Sequence, residues 1–401
     1  MVARNDTINT DMIDYENILV DVLTSARRKN YSGYGKFDAL NSPFLRFCSF
    51  NNPWLRLILI QAVKECPWHI RPWLGVQQSR NPKGIALFAR AYLFLYEKTR
   101  DEKYLTEAKA LLQWLKKNPS DGQKHLCWGY NFIWQDVPPF LQWEGEPNCV
   151  VTVFVAEAFM HAYRVTSDKN FLTDARHIAD FFLKDLPVLY DQNNERAIGY
   201  ILGRNDSIVL NAQVLCAAFL VKVWKHTAEK ELLDTSIRQM NFTFNRRTPY
   251  HAWYYTEPSG KSPIRHDNYH TGGILDAFLE FFEETQDDRY QKVYWLGLEY
   301  YQKNLFEKNG APRWMNDRTF PFDVHGSAQG IITFTKAARY KKEFLNQSNL
   351  IATWAIQNLY REKSQDFIYR RGRFLKWNYS LMRWCNAWMA RALGELDISE
   401  P

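Results

Sequence analysis

Several features that would identify a function outright are absent from this 401-residue chain. Its six cysteines (Cys48, Cys66, Cys127, Cys149, Cys216 and Cys385) lie far apart, without a CxxC pair or metal-ligand spacing, so neither a disulfide framework nor a zinc module is encoded. No run reaches the 18 or so apolar residues of a membrane span, and the polar start Met1-Val2-Ala3-Arg4-Asn5-Asp6-Thr7 lacks the apolar core of a secretion signal. These absences predict free, mostly buried thiols in a cytoplasmic protein, with no metal and no other cofactor implied. Charge of one sign is scarce as well. The net charge is +7, the basic residues stand singly or in short groups such as Arg27-Arg28-Lys29, and no binding motif accompanies them, which argues against a nucleic-acid partner.

With 46% hydrophobic and 24% charged residues, the composition is that of a folded globular protein and excludes disordered and fibrous classes. What is abundant is aromatic: 15 Trp, 22 Tyr and 26 Phe make up 16% of the chain.

One segment recurs: Thr99-Arg100-Asp101-Glu102, Thr166-Ser167-Asp168-Lys169, Thr227-Ala228-Glu229-Lys230 and Thr285-Gln286-Asp287-Asp288, with a degenerate copy at Tyr340-Lys341-Lys342-Glu343. The Thr or other polar residue reads as a helix N-cap and the acidic residues as a favourably charged first turn. Each copy opens an amphipathic helix, as in Tyr104, Leu105, Ala108, Leu111, Leu112 and Leu115, whose spacing forms one stripe. Before each copy lies a segment that is apolar or small nearly all round, hence buried on every side: those opening at Gly84, Val150, Ile208, Thr271 and Gly326, with a sixth from Leu381 to Leu393. The unit is about 60 residues long.

Six buried helices alternating with six half-exposed ones predict an all-α, (α/α)6 toroid of helical hairpins, with the long returns gathered at one end. Trp54 to Lys64 is expected to supply the outer helix that completes the circle beside the last inner helix. Residues 1–49 are then an extension packed on the ring, and 50–396 a single toroidal domain. An open solenoid of helical pairs would share the periodicity, but its linkers are usually short, whereas about 20 to 30 residues separate each outer helix from the next inner one here.

Residues just before the inner helices converge on one mouth, and aromatic and titratable groups interleave there. His270 and His325 lie near Asp267 and Asp323, an arrangement that tunes general acids and bases, although the carboxylates also suit helix caps. Glu144 is a third candidate catalytic carboxylate, because a pair of them could flank a glycosidic bond. Trp128, Tyr130, Trp143, Trp253, Trp314, Trp377 and Trp384 are candidates to stack on sugar rings, and Glu146, Arg265, His266, Tyr269, Tyr379 and Arg383 are further substrate-binding candidates. The arginines, with Arg313, suit the carboxylate of an acidic sugar. His266 and His270 have the spacing of ligands on one helix face, but no further ligand pattern follows, so no metal is expected.

The strings Arg265-His266-Asp267-Asn268-Tyr269-His270-Thr271-Gly272 and Phe320-Pro321-Phe322-Asp323-Val324-His325-Gly326-Ser327-Ala328-Gln329 resemble signatures of a bacterial and archaeal family of unassigned activity found in surface-polysaccharide biosynthesis loci. The repeat architecture, over roughly residues 50–395, is similar to the six-hairpin glycosidase-like superfamily, which includes unsaturated glucuronyl hydrolases, N-acylglucosamine 2-epimerases and the helical domain of glucuronyl C5-epimerases. The resemblance implies a carbohydrate-active enzyme of polysaccharide metabolism with an oligo- or polysaccharide substrate. Hydrolysis of a glycosidic bond, with Asp267 or Asp323 as acid or base, is the leading expectation. A uronate or amino-sugar epimerase or lyase working through His or Tyr is the alternative, and a non-catalytic glycan-binding toroid a further one. A terpene-type cyclase of toroidal shape is disfavoured, since neither a DxDD nor a DDxxD motif occurs.

Overall fold

A computed structural model describes residues 13–135, 140–203 and 206–399. Asp136, Arg204 and Asn205 of the return segments, and most of the polar N-terminus, lie outside the described residues. In chain order the helices are α1 (Tyr15–Arg28), α2 (Pro43–Cys48), α3 (Pro53–Glu65), α4 (Pro82–Thr99), α5 (Glu102–Lys117), α6 (Cys149–Thr166), α7 (Lys169–Asp180), α8 (Leu210–Thr227), α9 (Lys230–Asn245), α10 (Asn268–Thr285), α11 (Asp288–Leu305), α12 (Val324–Ala338), α13 (Glu343–Leu359) and α14 (Trp388–Asp397). A π-helical turn, Met382–Ala387, leads into α14.

The repeated Thr does something other than cap the outer helix. Thr99, Thr166 and Thr285 end the inner helices, each hydroxyl donating to the carbonyl four residues back and accepting the N–H of the Asp two residues on. The residue between them, Arg100, Ser167 or Gln286, is left-handed (φ 57°, 59° and 59°). It is the following Asp101, Asp168 or Asp287 that caps the outer helix. One turn thereby satisfies the end of one helix and the start of the next, which is why the motif recurs.

Six hairpins close a double ring. The inner helices α4, α6, α8, α10, α12 and α14 pack neighbour on neighbour, with α14 returning to α4, and each carries its own outer helix: α5, α7, α9, α11, α13 and α1. The closing helix is therefore α1, where the sequence reading put Trp54–Lys64. Tyr15, Leu19, Val22, Leu23 and Ala26 form the buried stripe of α1, so part of the expected N-terminal extension lies in the ring itself. Helix α3 instead packs in a small separate cluster with Ala39, Leu40, Leu45 and Ile133. Helix α6 is long and apolar enough by composition to cross a membrane, yet 67% of that stretch is buried in the ring. Burial, not lipid, accounts for its composition.

All inner helices start at the same end, so every return lies there. Short antiparallel ladders tie these returns together, among them Trp134–Gln135 with Leu141–Gln142, Ile208–Val209 with Thr256–Glu257, and Phe322–Asp323 with Arg370–Arg371. Asn81, Asn148, Asp267 and Asp323 then turn four returns into α4, α6, α10 and α12 by accepting first-turn N–H groups. These caps set where the first side chains of each inner helix point, and so build the rim of a central cavity.

Candidate functional site

The cavity measures about 640 Å³ and takes lining from all six inner helices. Its floor is a closed ion network. Lys222 Nζ sits 2.8 Å from Glu157 and 2.7 Å from Glu280, and Lys336 Nζ lies 3.2 Å from Asp276 and 2.5 Å from Glu280. Arg90, 4.0 Å from Glu157, adds a third cation to set against the three carboxylates, so the floor is a structural plug in which each charge compensates another.

Above it stand two histidines. Burial, then the charges of Lys83, Arg383, Lys36 and His270, hold His325 well below the usual histidine range, so its ring is neutral at pH 7. Three aromatic rings fix it: Tyr269 stacks on one face at 4.5 Å and 9°, Trp384 stands edge-on at 4.6 Å, and Trp388 lies 4.2 Å away. His270 reaches the cavity from α10 with its Nδ1 2.7 Å from Asp267 Oδ2 and its ring against Tyr255 and Tyr269. That contact makes Nδ1 the donor and leaves Nε2 to exchange protons. Capping and chemistry are not alternatives for Asp267, since Oδ1 caps α10 while Oδ2 orients His270. Asp323 likewise accepts from His325 N (2.9 Å) and Trp384 Nε1 (2.7 Å), with its Oδ2 3.8 Å from Lys36 Nζ.

Two buried cations break the pattern of compensation. Lys83, 6% exposed at the start of α4, and Arg383, 4% exposed before α14, both line the cavity, and neither is joined by a hydrogen bond or ion pair to a described residue. Aromatic faces surround them instead: Phe154 lies 3.8 Å from Lys83 Nζ, and Tyr130 and Trp384 each 5.3 Å from Arg383 Cζ. Burial, then Arg383, pulls Lys83 well below the usual lysine range, and burial lowers Arg383. Lys36 lies 3.6 Å above the Trp384 ring. Burial brings it down to about 7 against the opposing pull of Asp323.

Lys36 therefore carries its charge below pH 7 and loses it above. In a titration of ¹³C-labelled lysines by NMR, one side-chain signal is expected to move near pH 7 and to vanish in Lys36→Met. A full set of lysines titrating together near 10, about the usual value, would contradict the buried placement.

Of the residues singled out from sequence, Tyr130, Tyr269, His270, Trp314, His325, Arg383 and Trp384 line the cavity. Asp267 stands behind the His270 ring, whereas Asp323 meets the His325 backbone N–H and the Trp384 indole but not the His325 ring. Others are placed elsewhere. Trp128 is fully buried and donates from Nε1 to the Leu115 carbonyl, so it is core and not a platform. Tyr379 donates to the Cys66 carbonyl, and His266 spends both ring nitrogens on the Trp253 carbonyl and the Tyr250 hydroxyl, which also removes it as a ligand partner of His270. Arg265, with its side chain 67% exposed, faces Asp317, and Arg313 faces Glu307. Trp143 and Glu144 are exposed on a turn where the Glu146 carboxylate accepts the Trp143 N–H, and none of the three lines the cavity. Glu144 thus has no place beside the histidines. Sequence reading missed Lys36, Lys83, Tyr200, Tyr255, Gln329 and Trp388. Only Lys83 left a signal, as a charge in the first turn of an otherwise apolar helix.

No protein-family model matches the sequence, and no curated protein matches it. Among solved structures, the GH76 alpha-mannanase of Bacteroides thetaiotaomicron superimposes with a TM-score of 0.61 at 13% identity, over 80% of this chain and 86% of that one. The cellobiose 2-epimerase of Bacillus thermoamylovorans gives 0.57 at 11%, over 79% and 88%. An unsaturated glucuronyl hydrolase specific for heparin gives 0.58 at 14%, over 81% and 87%. At such identities the likeness is one of fold. The chain is a six-hairpin (α/α)6 toroid, the fold it shares with these three structures.

Proposed function

We propose that the protein is a carbohydrate-active enzyme that transfers a proton at a carbon of an acidic sugar, as an epimerase or lyase does. One observation carries the reading: two imidazoles line the cavity, whereas the lining carboxylates among the described residues, Glu157, Asp276 and Glu280, belong to the ion network of the floor. His325, neutral at pH 7, takes the proton from the carbon next to the sugar carboxylate. The electrons of that C–H bond pass onto the carboxylate, where Arg383 offsets the growing negative charge and Lys83, in the same lining, donates a hydrogen bond. His270, oriented by Asp267, returns a proton through Nε2 to the carbon in epimerisation, or to the departing oxygen in elimination. Tyr130, Trp314 and Trp384 supply flat apolar faces for the sugar. The fold is shared with an epimerase and with glycoside hydrolases, so it accommodates this chemistry without selecting it.

Hydrolysis is the second reading. It is favoured by Asp323 Oδ2, a buried carboxylate oxygen with no hydrogen-bond partner and with Lys36 Nζ 3.8 Å away. Incubation with uronate-containing oligosaccharides in D2O separates the two. Deuterium on a ring carbon, or a new unsaturated sugar absorbing near the ultraviolet end, is the expected result. New reducing ends without carbon-bound deuterium would establish hydrolysis instead. Tight binding without turnover of any kind would leave a glycan-binding toroid.

A further inference from the structure

Eight of the fourteen large hydrophobic side chains that stand exposed among the described residues fall in one stretch of the chain, where Phe47 and Phe50 lie 6.3 Å apart. Between residues 44 and 73 they include Phe47 at 76%, Phe50 at 75%, Trp54 at 59%, Ile58 at 60%, Trp68 at 72% and Trp73 at 83%. Three of the four exposed tryptophans lie in this stretch, and the fourth, Trp143, follows the return turn near Arg46. At roughly 150–250 Å² for each aromatic side chain, the patch exceeds the few hundred Å² that soluble monomers usually leave open.

The patch is built, not frayed. Leu45, Ile60 and Val63 anchor α2 and α3 in their own small core, Ser42 and Asn52 cap the two helices, and the Asp38–Arg71 ion pair (2.8 Å) is buried beneath. None of the exposed aromatics is needed for that core. Charge narrows what covers them. Residues 44–73 hold Arg46, Arg56, Lys64 and Arg71 against one carboxylate, Glu65, which pairs with Arg370, while Glu144 is the acidic group that feels Arg46. A twofold dimer through this surface would bring each patch against its own copy, with Arg46, Arg56 and Glu144 on either side. Tryptophan and phenylalanine beside arginine, on two short helices, are instead the composition of an element that rests in the headgroup layer.

We infer that the α2–α3 hairpin docks the protein on an anionic lipid surface. The inner side of α3 gives Leu57, Gln61 and Lys64 to the cavity lining. Docking therefore sets the rim of the cavity at the headgroups, within reach of a saccharide carried on a lipid. This proposal is independent of the reaction performed.

Vesicle co-sedimentation tests it. The full chain is expected to bind vesicles containing about one-third phosphatidylglycerol, less so as salt rises, since arginines add on the order of 1 kcal/mol each near such a surface. It is expected to bind pure phosphatidylcholine at least tenfold more weakly. The triple variant Phe47→Ser, Phe50→Ser, Trp54→Ser should lose the binding while keeping the wild-type thermal midpoint, and Arg46→Ser with Arg56→Ser should lose the lipid-charge dependence alone. A chain that binds neither vesicle overturns the proposal. So does a concentration-dependent dimer in sedimentation velocity that the triple variant dissolves.

Discussion

His325→Gln is expected to lower kcat/KM by about 10²- to 10⁴-fold, mostly through kcat, because it removes the cavity's neutral base and keeps its polarity. The pH profile carries the sharper signature. The folded-state value of His325 lies well below that of an unfolded histidine, at about 6.5, first through burial and then through the basic side chains around it, Lys83 and Arg383 foremost. Its base form thus survives acidification, and the acidic limb of kcat/KM is expected well under pH 6.5. The stability consequence has the same origin. Between the two values the unfolded chain binds more protons than the folded one, so stability falls as the pH drops below about 6.5. Thermal midpoints at pH 7.5 and 5.5 should therefore differ more in the wild type than in His325→Gln. His161, also buried and lowered, is common to both proteins and cancels in the comparison. An unchanged kcat in the variant would remove His325 from the reaction.

Arg383→Met is expected to raise stability while abolishing turnover of an acidic substrate. No described carboxylate compensates the Arg383 charge, so the folded protein bears a desolvation cost that methionine lifts, on the order of 1–3 kcal/mol. Lys83, already pulled well below the usual lysine range, sheds much of that cost by losing its proton, so Lys83→Met should raise stability less than Arg383→Met while lowering turnover as well. The contrast is Lys222→Met, which leaves Glu157 and Glu280 facing each other without their shared cation and should cost about 3–5 kcal/mol. Urea unfolding of the three variants beside substrate titrations distinguishes a floor made for folding from cations held for a ligand. A loss of stability in Arg383→Met and Lys83→Met would make them structural. A neutral sugar that turned over equally well in both would remove the acidic substrate.

Much of the ring is legible from the chain. The inner helices announce themselves because burial on all sides leaves no room for a polar stripe, as in α6, where polar positions are few over eighteen residues. The hairpin turns repeat because in three of them a Thr, a left-handed residue and an Asp, in that order, satisfy the end of one helix and the start of the next. His270 and His325 were likewise visible, each placed two or three residues after the Asp that caps its helix. A cap fixes the first turn, and the first turn of every inner helix meets the mouth.

The closing of the circle was not legible. Helix α1 completes it by packing on α14 across almost the whole chain, and such a contact leaves no local mark, whereas the apolar α3 looks the better ring helix until its exposed aromatics are seen. Nor does a return segment show which of its aromatics face inward. Trp128 and Trp384 have the same chemistry and similar neighbours in sequence, yet one donates to the Leu115 carbonyl inside the wall and the other holds Asp323 beside the cavity. The difference lies in which side of the return the ring leaves empty. Lys83 shows the same limit more sharply. A lysine in an apolar helix is a local anomaly, but that it meets Arg383 rather than a carboxylate depends on the first and last inner helices becoming neighbours. Helical periodicity is written in the order of residues, and the charge balance of a cavity exists only once distant helices have closed around it.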